Sequence, residues 1–207
     1  LAYQMGLPGI FWFTFPNVIA LLMFALFAPT IRKKMPEGYT LPQYIRHRLQ
    51  SESAHKVYLF PYFFYQLMAV TVQIFAGGSL IYLLTGIPLI IVMPVLLLIA
   101  LAYTFISGLR ASVITDVVQV AMIFAIGLII LPLTLSAAGG VSAIYAGLGG
   151  LSGVQNIFDP GIAFSLGIVT SIGLIAGALS DQQYWQRSFA IRRKELPKAF
   201  IFGALLF

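Results

Sequence analysis

Cysteine is absent from the 207 residues, so neither disulfides nor thiolate metal sites enter the argument. Charge is scarce as well: Asp, Glu, Lys and Arg make up 9% of the chain, and only six of those residues are acidic. A soluble domain carries about 25% charge, so this chain cannot cover itself with a water-facing surface. A soluble globular enzyme is excluded. Disorder is excluded by the opposite abundance, because 60% of the residues are hydrophobic and 14% aromatic, whereas disordered chains are poor in such residues.

What is present is long apolar runs. They fall at about 8–31, 57–84, 87–107, 113–136, 161–184 and 199–207, parted by polar or Gly/Pro-rich breaks. A hydrocarbon core needs about 20 helical residues, so five runs are long enough to cross and the last is truncated. The runs lack the alternation of membrane strands, and helices satisfy their own backbone hydrogen bonds in lipid. The class is an all-α integral membrane protein, a multi-span helical bundle forming one transmembrane domain. The chain starts at Leu1 and stops inside an apolar run, so the expectation is a piece of a longer protein, incomplete at both ends.

Alternating spans imply alternating sides, and the cations test this. Arg32, Lys33, Lys34, Arg46, Arg48 and Lys56 fall in the connection 32–56; Arg110 falls in 107–112; Arg187, Arg192, Arg193, Lys194 and Lys198 follow the fifth span. These are all twelve Lys and Arg residues, and alternation puts every one on the same side. The positive-inside rule makes that side cytoplasmic, with 32–56, 107–112 and 186–198 inside and 137–160 outside. The clusters read as orientation signals and contacts to anionic lipid; nucleic acid is not an expected partner. His47 and His55 read as solvated loop residues. The Gly-rich stretch 137–160 reads as a linker or an external lid, with a short interfacial helix around Val141–Leu148.

Few residues offer chemistry. Asp116 heads the fourth span beside Ser112 and Thr115, a set of oxygens suited to Na⁺ or a proton relay, or a carboxylate favoured by the helix dipole and Arg110. Asp181 sits at the foot of the fifth span, followed by Gln182, Gln183, Gln186 and Arg187, a polar collar. Tyr62, Gln66 and Gln73 share one face of the second span with Ala69 and Gly77, a stripe that points to other helices or a wet path. Gly173 and Gly177 form a GxxxG pair in the glycine-rich fifth span, which suits close packing or a broken helix. There is no phosphate loop, HExxH or Ser/His/Asp set, so no catalytic residue, resident metal or cofactor is expected.

Two stretches carry a family resemblance. Ser107-Gly-Leu-Arg-Ala-Ser-Val-Ile-Thr-Asp116-Val-Val-Gln119 and Asp181-Gln-Gln-Tyr-Trp-Gln-Arg187-Ser-Phe-Ala190 resemble signature segments of the sodium:solute symporter family, and Tyr39-Thr-Leu-Pro-Gln-Tyr44 resembles a third. The resemblance implies a partial leucine-transporter-like inverted-repeat fold and alternating-access symport of a small organic solute with Na⁺ across the plasma membrane. Asp116 and Thr115 then belong to the sodium-site region, and Asp181, Gln182, Gln186 and Arg187 to a cytoplasmic motif. The same module is also found as the solute-sensing part of histidine kinases, which is the alternative. The family's sugar carriers use a carboxylate on core helix two and an Asn with an aromatic gate on helix six. The corresponding stretches, Phe11–Pro16 and Ile172–Ala178, offer neither, which argues against a sugar. The Asp-Gln-x-Tyr-Trp-Gln wording leans toward the urea-transporter-like branch.

Overall fold

The computed structural model describes residues 1–207 apart from the side chains of Ser107 and Ala111. Helix α1 covers Ala2–Lys34 and is interrupted at Gly6, whose φ of 56° and ψ of −138° are open to glycine alone. Pro8 follows in the turn after that break, where no intrahelical N–H partner is lost. Helix α2 (Leu41–Leu49) starts on a capping box: Gln43 N donates to Thr40 Oγ1 at 3.2 Å, and Thr40 N donates back to Gln43 Oε1 at 3.2 Å. Thr-Leu-Pro-Gln spells that box in the sequence. Helix α3 runs over Glu52–Thr85 and α4 over Leu89–Ala137. The short α5 (Val141–Gly147) falls where the interfacial helix is expected.

A 3-10 turn at Gly150–Ser152 leads to α6 (Pro160–Ile162), a π-helical turn (Ala163–Gly167) and α7 (Ile168–Ser180). Helices α8 (Gln182–Ala190) and α9 (Leu196–Leu206) complete the chain. Among the described residues, five segments are long and apolar enough to cross a membrane: Ala2–Lys34, Glu52–Thr85, Leu89–Ile106, Gly108–Ala137 and Pro160–Ser180. The third and fourth belong to the one helix α4 and meet at a kink whose non-helical residue is Gly108 (φ 52°, ψ −134°), the first residue of the fourth, where the sequence suggests a six-residue connection. The fifth ends at Ser180 because Asp181 takes an extended conformation and opens α8. Residues 181–184 therefore leave the span in which the hydropathy pattern places them.

The chain forms two compact units. The first joins Leu1–Leu67 with Ala146–Phe207, and the second is Met68–Tyr145. The core of the first unit gathers Ala20, Leu21, Phe24, Ala25 and Ala28 of α1 against Trp185 and Phe189 of α8 and Leu196, Phe200 and Ala204 of α9. Phe24 has no exposed surface and stacks on Phe200 with ring centroids 5.2 Å apart. The alanines bring α1 close to its neighbours, as small residues do in helix pairs without a hydrophobic driving force. In the second unit Gly78 lets α3 approach α4: a Cβ there would lie 3.1 Å from Met93 Cγ. Most other apolar side chains of α4 are exposed, a surface suited to lipid tails.

The Gly-rich outer stretch is partly fixed. Leu7 N donates to Leu148 O at 2.7 Å, and Cβ atoms at Gly6 and Gly150 would fall 2.0 and 2.5 Å from backbone of the opposing segment. Further on, Trp12 Nε1 donates to Ile157 O at 2.9 Å, and Phe158 packs edge-on to Phe11 and Trp12. Residues 148–158 are thus docked on the start of α1, which a plain flexible linker would not be.

Candidate functional site

Every helix end leaves its last carbonyls without intrahelical partners, and α7 ends deep in the first unit. The orphan Leu179 carbonyl is met by two aromatic donors: Tyr62 Oη of α3 at 2.7 Å and Trp185 Nε1 of α8 at 2.8 Å. Both rings are buried. One residue-pair further, Asp181 bridges the two helices. Its backbone N–H closes the end of α7 on Ala178 O at 3.1 Å, while its side chain caps α8 by accepting from Gln183 N at 2.8 Å. The same Oδ1 accepts from Gln66 Nε2 of α3 at 2.9 Å. Gln182 then donates to Tyr39 O at 2.9 Å, just before the α2 capping box.

These bonds form one polar latch at the α7–α8 hinge. It joins three motifs that lie far apart in sequence: Tyr39–Tyr44, the Tyr62/Gln66 face and Asp181–Gln182. Beside it lies a groove of about 190 Å³ lined by Thr40, Pro42, Leu59, Tyr62, Phe63, Gln66 and Gln182. Tyr184, outside the spans, faces Phe24 at 5.2 Å; burial first, and the Asp181 carboxylate second, push its phenol above the ordinary range. It stays a neutral hydroxyl at physiological pH. The side chain of Gln186 is exposed, and Arg187 Nη1 lies 3.4 Å from Gln183 O and from Gln183 Oε1, on its own helix.

Several expectations need correction. The Tyr62–Gln66–Gln73 stripe divides: Tyr62 and Gln66 serve the latch, while Gln73, in the second unit, is exposed. Of the GxxxG pair, Gly177 packs, since a Cβ would meet the Tyr65 ring at 3.2 Å, but Gly173 has nothing within 4 Å among the described residues. The helix runs regularly through both. Its irregularity lies earlier, in the π-helical turn, where Gly167 takes the Trp12 indole at 2.5 Å from a Cβ position. His55 is not a solvated loop residue either. It lies in α3 with Nδ1 3.0 Å from Pro42 O, tying α2 to α3.

Asp116 belongs to the second unit and is half-buried on the long α4 helix, eight residues past the Gly108 break. The Thr115 hydroxyl, exposed, donates to Ser112 O of the preceding turn at 2.9 Å. Ser107 and Ala111, which belong to the same motif, lie outside the described residues. The hydroxyl and the carboxylate adjoin, but on a helix successive side chains point about 100° apart, so the pair alone cannot enclose a cation.

The family model described as the sodium:solute symporter family matches residues 1–205. The chain is 22% identical to the "Probable urea active transporter 1" of Schizosaccharomyces pombe, over 98% of this chain and 32% of that protein. It is 21% identical to the "Urea-proton symporter DUR3" of Oryza sativa subsp. japonica, over 100% of this chain and 32% of that protein. With the "Sodium/glucose cotransporter" of Vibrio parahaemolyticus it shares 27% identity, over 81% of this chain and 34% of that protein. The chain thus spans about a third of the length of the curated relatives it matches. No solved structure matches it.

Proposed function

The chain belongs to the sodium:solute symporter family, and from that membership we propose that it is the central part of a multi-pass secondary transporter that carries a small organic solute into the cell with Na⁺ by alternating access. The observation that carries this reading is the coverage of nearly the whole chain by the family model. The leucine-transporter-like layout assigns α1, α3 and the two halves of α4 to core helices two to five of the first repeat, and the fifth span and α9 to the first two of the second. Urea is the favoured solute, because relatives that match 98% and 100% of this chain are named for urea and the Asp181–Gln186 wording has the same lean. In this scheme Asp116 holds positive charge near the ion path, and the latch at Asp181 sets the angle between the fifth span and α8 on the cytoplasmic side.

Uptake of radiolabelled urea into vesicles reconstituted with the full-length protein tests the proposal. An inward Na⁺ gradient should drive accumulation above equilibrium, and collapsing it should stop accumulation. Accumulation driven by a pH gradient alone would replace Na⁺ with H⁺ as the coupling ion. Urea that equilibrates identically with and without either gradient would overturn symport of this solute.

A further inference from the structure

At the end of α1 that the cation distribution assigns to the cytoplasm, the first unit holds a second concavity, of about 450 Å³, lined by Pro29, Thr30, Lys33, Lys34 and Arg193. No acidic residue lines it. Nearby cations are already engaged: Arg32 stacks on the Phe189 ring at 5.5 Å and donates to Pro36 O, and Lys198 pairs with Glu195 at 3.7 Å. Lys33, Lys34 and Arg193 are exposed and have no ion-pair partner among the described residues. Three unpaired cations and a hydroxyl around one hollow are a donor set for a phosphate ester, whose oxygens accept several charge-assisted hydrogen bonds.

What lies above the hollow selects the source of that phosphate. Counting back from Thr30 in helical steps, Phe27, Leu26 and Leu22 share its face of α1, and they are 49%, 71% and 41% exposed. The apolar stripe therefore runs from the cation cluster into the membrane-spanning part of the helix. A free phosphate ion has no use for it, whereas an acyl chain does. The geometry points to a bound anionic phospholipid, its phosphate held by Lys33, Lys34 and Arg193 and a chain lying along Leu26 and Leu22. Because Arg193 comes from the turn joining α8 to α9, the lipid would also tie that turn to the end of α1.

The test uses the full-length protein in neutral detergent, with thermal unfolding followed during titration by phosphatidylglycerol, phosphatidylcholine or inorganic phosphate. Phosphatidylglycerol alone should raise the unfolding midpoint. Lys33→Gln, Lys34→Gln and Arg193→Gln should each raise its half-saturating concentration about fivefold, the equivalent of about 1 kcal/mol for a cation at an anionic surface. The pair Arg46→Gln and Arg48→Gln, which removes two charges from α2 where each site variant removes one, should leave the titration unchanged. Leu26→Gln, at a position 71% exposed, should also weaken the phosphatidylglycerol response. An equal loss in the α2 control would reduce the effect to diffuse attraction and overturn the site. Equal potency of inorganic phosphate, or an unchanged titration in Lys34→Gln, would overturn it as well.

Discussion

At the scale of single residues, Asp181 has separable duties as a helix cap and as the acceptor for Gln66. Asn caps a helix about as well as Asp, while Ala forfeits about 1 kcal/mol. Asp181→Asn should therefore keep most of the stability of the full-length protein, and Asp181→Ala should lose roughly 1–2 kcal/mol once the stranded Gln66 amide is included. Unfolding in sodium dodecyl sulfate reads both values. A double-mutant cycle with Gln66→Leu should give a coupling of about 1 kcal/mol; a cycle that sums to zero removes the latch. For Asp116 the expectation concerns the coupling ion. Unit charges about 4 Å apart attract by roughly 4 kcal/mol at an effective dielectric near 20, and a third of that is tenfold in affinity. Asp116→Asn should raise the half-saturating Na⁺ concentration about tenfold in uptake assays. Reduced expression with an unaltered Na⁺ curve would leave Asp116 a structural residue.

The residues of the latch were each visible in the sequence, but their meeting was not. Thr40 and Gln43 spell a capping box, and Asp181 before an amphipathic stretch is a readable N-cap; hydropathy alone hides it, because the fifth apolar run is carried on through it to Tyr184. That Tyr62 and Trp185 converge on one carbonyl depends on how α3 packs beside α7, information no local pattern holds. At the element scale the same limit applies to the glycines. The GxxxG spacing draws attention to Gly177, which lies against Tyr65, yet it says nothing of Gly167, whose partner Trp12 lies in α1. Adding a side chain there meets an indole held by its bond to Ile157, and overpacking of this kind costs about 1–3 kcal/mol. Gly167→Val should lower the unfolding temperature of the full-length protein, and Trp12→Leu should relieve part of that loss. Equal destabilisation by Gly167→Val with and without Trp12 would show that the contact does not limit the helix.

For the molecule as a whole, the strongest statement rests on the distribution of twelve cations across alternating spans. Carrying Lys or Arg across the hydrocarbon is expensive, about 2.5–3.5 kcal/mol each at the centre on insertion scales. A chain with its cations in 32–56, near 110 and beyond 186 therefore has one favourable orientation. The helices leave room for that pattern: Arg32, Lys33 and Lys34 sit in the last turn of α1, and Arg110 lies two residues past the Gly108 break. Single cysteines at Ser53 and Ser142, both exposed, probe the two sides in a cysteine-free background of the full-length protein. An impermeant thiol reagent added to intact cells should label Ser142→Cys and spare Ser53→Cys until the membrane is permeabilised. The reverse pattern would turn the whole assignment over and place the phospholipid hollow in the outer leaflet. Labelling of both sites from outside would mean that an odd number of the three long segments between Ser53 and Ser142 fails to cross. The first suspect would then be the Gly108 break, where two spans share the single helix α4 with only a kink between them.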